Sequence, residues 1–201
     1  MRLTLSVVLF FLVMQLNGYL HAQESNFRIG IEHGSLFPVD SSLYDDKDSV
    51  YYFGLKQGLY LDNRWSIEFS QRYISPQNGF LKAGKSTGQA VPRDGGLYHL
   101  EYDVPLSITA RYDLREQIGL SFRPYFASGI ALHYTKRRID QVSDVQWTAA
   151  PLLVAGVEIF QAKIKAAVEV KYETFNLKST SSGFDAGGTG GGLSFGVGVI
   201  F

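Results

Sequence analysis

Large apolar residues alternate with small ones along the last nine residues of the chain. One face of this segment carries Leu193, Phe195, Val197, Val199 and Phe201, and the positions between them are mostly Gly or Ser. A soluble strand with one wet face normally has long polar side chains at the alternate positions, whereas small residues suit the crowded interior of a narrow barrel. The segment therefore predicts a membrane-spanning β-strand that ends on an aromatic residue.

Seven further segments have the same period of two, so the pattern predicts eight strands. Their ranges are 26–36, 50–61, 64–74, 97–113, 120–134, 145–159, 163–175 and 191–201. Short connections at 61–64, 113–119 and 160–163 alternate with longer polar ones at 37–49, 75–96, 135–144 and 175–190. This alternation is typical of barrels with periplasmic turns at one end and exterior loops at the other. The predicted fold is all-β, an eight-stranded antiparallel up-and-down transmembrane β-barrel.

The apolar face of these strands, which includes Leu100, is expected to contact lipid. Its aromatic residues concentrate near the two ends of the strands, where amphipathic rings favour the membrane interfaces. The predicted periplasmic rim contains Phe27, Trp65, Tyr112, Phe122 and Phe201, and the predicted outer rim contains Tyr73, Tyr134, Trp147 and Tyr172.

The opposite face carries seven basic and seven acidic residues. They are Arg28, Glu32, Lys56, Glu68, Arg72, Glu101, Asp103, Arg111, Arg123, Glu158, Lys165, Glu169, Lys171 and Glu173. Eight strands enclose an interior that side chains just fill, so charges buried there must pair. We predict a structural interior charge network that includes Lys56, Glu68, Arg72, Glu101, Asp103, Arg111, Arg123, Glu169 and Lys171. A proton or ion path is the alternative, and bulges at Pro105, Pro124 or Pro151 would shift the parity of neighbouring residues.

The N-terminus predicts export. Met1 and Arg2 form a short basic start, residues 3–16 are mostly apolar, and Asn17-Gly18 interrupts that run before a small residue at Ala22. These features are typical of a cleaved signal peptide over 1–22, followed by one barrel domain over 23–201; an uncleaved anchor is the alternative. The chain contains no Cys, which excludes disulfides and an acylated lipobox thiol.

Two segments carry a resemblance to a known family. The stretches 98–112 (YHLEYDVPLSITARY) and 123–130 (RPYFASGI), together with the closing 195–201, resemble motifs of the PorT-like outer-membrane β-barrel family. The resemblance implies a small eight-stranded barrel of the OmpA/OmpX type, located in the outer membrane. It also implies that the barrel-assembly machinery recognises the C-terminal segment, with Phe201 as the terminal signal. It carries over no catalytic residues.

Candidate chemistry is sparse. His99 and His133 have interior parity, and with Glu101 nearby they would suit a metal or acid–base site if they lay opposite each other; a polar pair beneath the exterior loops is the favoured interpretation. Lys136, Arg137 and Arg138 lie in the third long loop, where they would reach lipopolysaccharide phosphates or simply be solvated. We predict no catalytic, cofactor or metal site.

Three functional classes follow from these observations. The favoured one is a non-enzymatic outer-membrane protein with a structural, assembly or partner-binding role. Its expected partners are membrane lipid and lipopolysaccharide, the assembly machinery, and a protein at the loops or rim. The near-neutral charge gives no indication of nucleic-acid binding. The alternatives are a narrow pore or small-ligand transporter, and a lipid-modifying enzyme, for which His33 has outward parity but no serine partner is evident.

Overall fold

The alternating segments form eight antiparallel strands that close into a barrel. The computed structural model describes residues 27–44, 48–76, 98–114, 122–139, 142–161, 164–177 and 188–201. The strands are β1 (Phe27–Pro38), β2 (Val50–Tyr60), β3 (Trp65–Ile74), β4 (Tyr98–Asp113), β5 (Phe122–Ile139), β6 (Val142–Gln161), β7 (Ile164–Leu177) and β8 (Gly188–Ile200). Each strand pairs with its neighbours in sequence, and β8 pairs with β1. The predicted fold class is confirmed, while the predicted signal peptide lies outside the described residues.

One short helical element accompanies the strands. A 3-10 turn, which we call η1, spans Ser41–Tyr44 between β1 and β2. Among the described residues, no helix is long and apolar enough to cross a bilayer.

The connection between β5 and β6 differs from the prediction. A long polar loop was expected over 135–144, but the two strands stay paired up to Ile139 and Val142. The inward-facing pair Arg137 and Asp144, whose Nε and Oδ2 atoms are 2.8 Å apart, holds this extension together. The outer ends of β4 and β5 and the outer half of β6 therefore project as a three-stranded ribbon, because β3 pairs with β4 only up to Asp103 and β7 pairs with β6 only from Leu152 onwards.

A register shift changes the faces at the start of β4. The ladder between β4 and β5 is irregular between Leu100 and Tyr102, whereas it is continuous through Pro105, Pro124 and Pro151. Leu100, which was predicted to face lipid, points inwards and is 1 % exposed. A bulge places two residues of one strand opposite one of its partner, so the alternation is displaced on one side of it.

The short turn between β2 and β3 is fixed by Asp62. Its Oδ1 accepts the backbone N–H groups of Arg64 and Trp65, each at 2.7 Å, and these two hydrogen bonds lower the pKa of the Asp62 carboxyl. The turn sets Trp65 against Tyr112 with ring centroids 4.9 Å apart. The two rings form part of an aromatic rim at this end of the barrel.

Most outward positions are large and apolar. Val197, Phe126 and Ile130 are exposed by 60 %, 58 % and 58 %. At the opposite end from Trp65, an aromatic row crosses four strands: Tyr73 stacks on Tyr102, which contacts Tyr134, which in turn contacts Trp147. An apolar belt between two aromatic rims is the surface expected of a barrel in a bilayer.

Candidate functional site

Two groups of side chains occupy most of the described part of the barrel, beside a smaller apolar cluster of Tyr125, Ala127, Ala131, Leu152 and Val154. The first, which we call the ion-pair ladder, consists of buried charged residues with their hydrogen-bonding neighbours and runs along the interior from the Trp65 rim. The second, the apolar cap, lies above the ladder at the end where the long connections leave the strands. Its members are Leu36, Leu43, Tyr44, Val50, Tyr52, Ile74, Leu100, Ala150, Phe175 and Leu177.

Two arginines organise the lower end of the ladder. Arg111 Nη1 donates to Glu158 at 2.5 Å and to Glu68 at 3.1 Å, and its Nε donates to Asp113 at 2.5 Å. Arg28 donates to the same Glu158 oxygen at 2.8 Å and also pairs with Glu68. All five side chains are buried. Each guanidinium thus bridges carboxylates from different strands across the lumen.

Two lysines and two glutamates form the middle of the ladder. Lys56 and Lys171 both pair with Glu169, and Lys171 also pairs with Glu32. The phenol of Tyr125 donates a further hydrogen bond to Glu169. Because cations alternate with anions here, no run of one sign extends along the described lumen.

The upper end of the ladder is built around His133. Its Nδ1 lies 2.8 Å from Asp103 Oδ2, and its Nε2 lies 3.6 Å from Glu173 Oε2. Arg72 Nη2 donates to both carboxylate oxygens of Glu173 at 2.6 Å. His133 therefore links a carboxylate of β4, by a hydrogen bond at Nδ1, to a carboxylate of β7, by a longer contact at Nε2.

Glycines on the inner face make room for these long side chains. A Cβ at Gly58 would lie 2.3 Å from Arg28 Nε, and one at Gly156 would lie 2.5 Å from Tyr125 Cζ. The small inward residues noted in the sequence therefore have a packing role, because the lumen next to them is already occupied.

The apolar cap is completed by η1, which folds over the barrel mouth. Leu43 and Tyr44 of η1 are buried, and the Tyr44 hydroxyl accepts the backbone N–H of Gly191 at 3.1 Å. Gly191 has φ 82°, where a Cβ would be strained, and that Cβ would lie 2.3 Å from the Glu173 carbonyl oxygen. Burial raises the pKa of the Tyr44 phenol, so the group remains a neutral hydrogen-bonding partner.

Most members of the predicted network lie together in the ladder. Lys56, Glu68, Arg111, Glu169 and Lys171 belong to its lower and middle parts. Arg72 and Asp103 belong to its upper part. Arg123 lies at the lower edge, where its Nη1 is 3.6 Å from Asp113 Oδ2 and its side chain is 31 % exposed.

The placement of Glu101 was wrong. It pairs with Lys136, and both side chains are partly exposed, at 23 % and 29 %. The register shift between Leu100 and Tyr102 turns Leu100 rather than Glu101 into the barrel. Glu101 therefore belongs to an outer ion pair and is not part of the ladder.

The proposed histidine pair was also wrong. His133 lies opposite Pro105, whereas His99 lies opposite Arg138 near the end of the ribbon. In the described residues, no group of three or more His, Asp or Glu side chains is arranged to hold a metal ion. The basic run in the expected third loop is instead part of β5: Arg137 is buried beside Asp144, and Lys136 pairs with Glu101.

Sequence reasoning missed three features of the interior. Asp113 closes the lower end of the ladder, Tyr125 bonds to its centre, and the apolar cap closes its top. The sequence could have shown that Asp113 and Tyr125 point inwards, since each lies an even number of positions from the inward residues of its strand. Leu43 and Tyr44 had no such pattern, because they lie in a segment without period two.

The C-terminal residue completes the seam of the barrel. Phe201 N–H donates to the Ile29 carbonyl at 2.8 Å, and the Ile29 N–H donates back at 3.4 Å. The Phe201 side chain is 63 % exposed. Its ring is therefore available on the outside at the end of β8.

Comparisons with known proteins support the fold. The chain resembles the crystal structure of Neisserial surface protein A with a TM-score of 0.57 and 15 % identity, over 88 % of this chain and 98 % of that one. The N-terminal β-barrel domain of Pseudomonas aeruginosa OprF gives 0.52 and 15 %, over 88 % and 98 %. The outer membrane protein OprG from the same organism gives 0.52 and 16 %, over 88 % and 96 %. The sequence matches no family model and no curated protein sequence.

Proposed function

We propose that this protein is an integral outer-membrane barrel with a closed lumen and a non-enzymatic structural or partner-binding role. The observation that carries the proposal is the contrast between its two faces. The outward face is an apolar belt between aromatic rims, while the inward face is filled by paired charges and sealed by the apolar cap. Such a molecule is built to sit in lipid and to present its rims and outer surface.

Export and insertion complete this proposal. The predicted signal peptide over 1–22 would direct the chain across the inner membrane. We further propose that the assembly machinery recognises the last strand, with Phe201 as its terminal residue. Membership of the PorT-like family is part of the same hypothesis and rests on the segments 98–112 and 123–130. Lipopolysaccharide is the proposed lipid partner, and Lys136, which lies at the outer rim beside the Tyr102 ring, is a cation that would exchange its pairing with Glu101 for a lipid phosphate.

Membrane fractionation combined with gel mobility tests the location and the fold together. Every backbone group of a closed barrel bonds to a neighbouring strand, so detergent alone does not unfold it. We expect the protein in the outer-membrane fraction, with an unboiled form that migrates faster than the boiled form. Recovery in the periplasm, or identical mobility before and after boiling, would contradict the proposal.

The pore alternative is disfavoured by the occupied lumen. In the described residues, the guanidinium and ammonium groups of the ladder each contact at least one carboxylate across the interior. A conducting path would need these pairs to separate and η1 to leave the mouth. Both changes would expose buried charge or apolar surface.

One observation favours the alternative that the protein is a lipid-modifying enzyme. His33 and Ser35 lie on the same outward face of β1, so a serine does accompany the outward histidine. Among the described hydrogen bonds none joins them, and the His33 ring instead stacks on Tyr51 at 6.0 Å. Hydrolysis of phospholipid or lipid A by the purified protein, abolished by Ser35→Ala, would replace our proposal with this alternative.

A further inference from the structure

Two carboxamide side chains lie on the lipid-facing surface, between the aromatic rims. Gln57 of β2 is flanked on neighbouring strands by Ile29 and Phe69, and Gln71 of β3 by Leu55 and Leu106. Phe69 is two positions from Gln71 on the same strand, so Gln57 and Gln71 are diagonal neighbours whose Cα atoms are about 7 to 8 Å apart. They form one patch rather than two isolated sites.

The patch belongs to one side of the barrel. His33 and Ser35 share the same outward face on the adjacent β1, and we call these four residues (His33, Ser35, Gln57 and Gln71) the polar sector. In the described parts of β4 to β8, the outward positions between the rims are apolar or small except for Ser128. Polar groups are therefore concentrated on three of the eight strands.

A hydrocarbon environment does not satisfy these groups. An amide has two donors and an acceptor with two lone pairs, and in lipid an unpaired one is costly. In the described structure, Gln57 Nε2 is enclosed by its neighbours and has no hydrogen-bond partner. Polar side chains inside a membrane usually face another polypeptide rather than lipid.

We propose that the polar sector is the interface through which two copies of this protein form a dimer in the membrane. A carboxamide both donates and accepts, so it is complementary in charge distribution to a second carboxamide. A two-fold axis brings the same patch of each copy together. Gln71 then pairs across it, and Gln57 does so once its amide, whose Nε2 is enclosed in the single chain, turns outwards, without any net charge being buried. The inference rests on the proposed outer-membrane location.

Cross-linking tests the dimer directly, since the natural chain contains no Cys. Leu55→Cys introduces a thiol between the two glutamines and leaves both of them intact. Leu153→Cys, on the opposite side of the barrel, is the matched control and is 57 % exposed. In outer membranes treated with a short bis-maleimide, we expect a dimer band for Leu55→Cys and monomer for Leu153→Cys. Equal cross-linking of both variants, or none of either, would overturn the interface.

A second pair of variants separates the amides from the surrounding apolar surface. Gln57→Leu combined with Gln71→Leu, in the Leu55→Cys background, should weaken dimerisation about 3- to 15-fold for each amide, as the values for polar pairs in membranes imply. Ser128→Leu in that background should leave it unchanged. A cross-linked product that contains a different protein, or a dimer unaffected by the double substitution, would contradict the proposal.

The location of each variant keeps the two proposals distinguishable. Folded, heat-modifiable Leu55→Cys protein in the outer membrane that fails to cross-link overturns the dimer alone. Absence of the natural chain from that membrane overturns the proposed function, and the dimer with it.

Discussion

Arg111 and Leu36 are both fully buried inside the barrel, one in the ion-pair ladder and the other in the apolar cap. Arg111 donates to carboxylates from three other positions, so its loss removes a counter-charge from all three at once. Leu36 contributes non-directional apolar contact to a cluster of ten buried residues. The ladder is therefore expected to fail by leaving charges unpaired, and the cap by losing packed volume.

Removing one member of the ladder should have the largest effect. Arg111→Leu leaves Glu158, Glu68 and Asp113 with fewer counter-charges in a buried site, and stranding a buried charge costs about 3 to 5 kcal/mol. We expect a correspondingly lower urea midpoint, measured as loss of the fast-migrating folded band. An unchanged midpoint would mean that water solvates the lumen around these groups.

Removing volume from the cap should have a similar or slightly smaller effect. Leu36→Ala deletes buried methyl groups at the barrel mouth, and such changes cost roughly 2 to 5 kcal/mol. Leu36→Met nearly conserves volume and should cost less than about 1.5 kcal/mol. If the two variants were equally stable, the mouth would not be tightly packed, and the distinction between ladder and cap would weaken.

A single hydrogen bond of the cap should matter less. Tyr44→Phe keeps the buried ring but removes the hydroxyl that accepts the Gly191 N–H. We expect a loss of about 1 kcal/mol in the free energy of unfolding. Hydrogen exchange should localise the change to the Gly191 amide, and faster exchange throughout the barrel would indicate that η1 controls the whole fold.

An ion pair outside the ladder should have the smallest effect. Glu101→Leu breaks only the partly exposed pair with Lys136, and exposed pairs contribute about 0 to 1 kcal/mol. Its urea midpoint should remain close to that of the natural protein and well above that of Arg111→Leu. A decrease in the urea midpoint as large as that of Arg111→Leu would mean that Glu101 is buried in the interior, contrary to the structure.

The sequence correctly predicted which side chains point inwards wherever apolar and polar residues alternate without interruption. Residues such as Glu68 and Lys171 could be assigned to the interior because their neighbours alternate without interruption on both sides. Glu101 could not be assigned correctly, because a bulge leaves no reliable trace in the alternation and the three prolines indicated other positions. The alternation of residues shows which face of a strand a side chain lies on, but it does not show where the register between two strands shifts.

The cap illustrates a second limit. Leu43 and Tyr44 lie in a connection without alternation, so nothing in the local pattern indicates that they fold into the barrel mouth. The ribbon of β4 to β6 has a related explanation. Residues 135–144 are polar enough to suggest a loop, but the pairing of Arg137 with Asp144 allows the strands to continue. Both features depend on tertiary contacts between residues distant in sequence or across a hairpin.

Ion conductance in a planar bilayer tests the closed lumen most directly. The measurement uses purified protein whose unboiled and boiled forms differ in gel mobility, so that the barrel is known to be folded. We predict that the natural protein produces no conductance steps above the bare bilayer, because the ladder fills the lumen and the cap covers its mouth. Stable, reproducible open-channel steps from this folded protein would contradict the closed barrel.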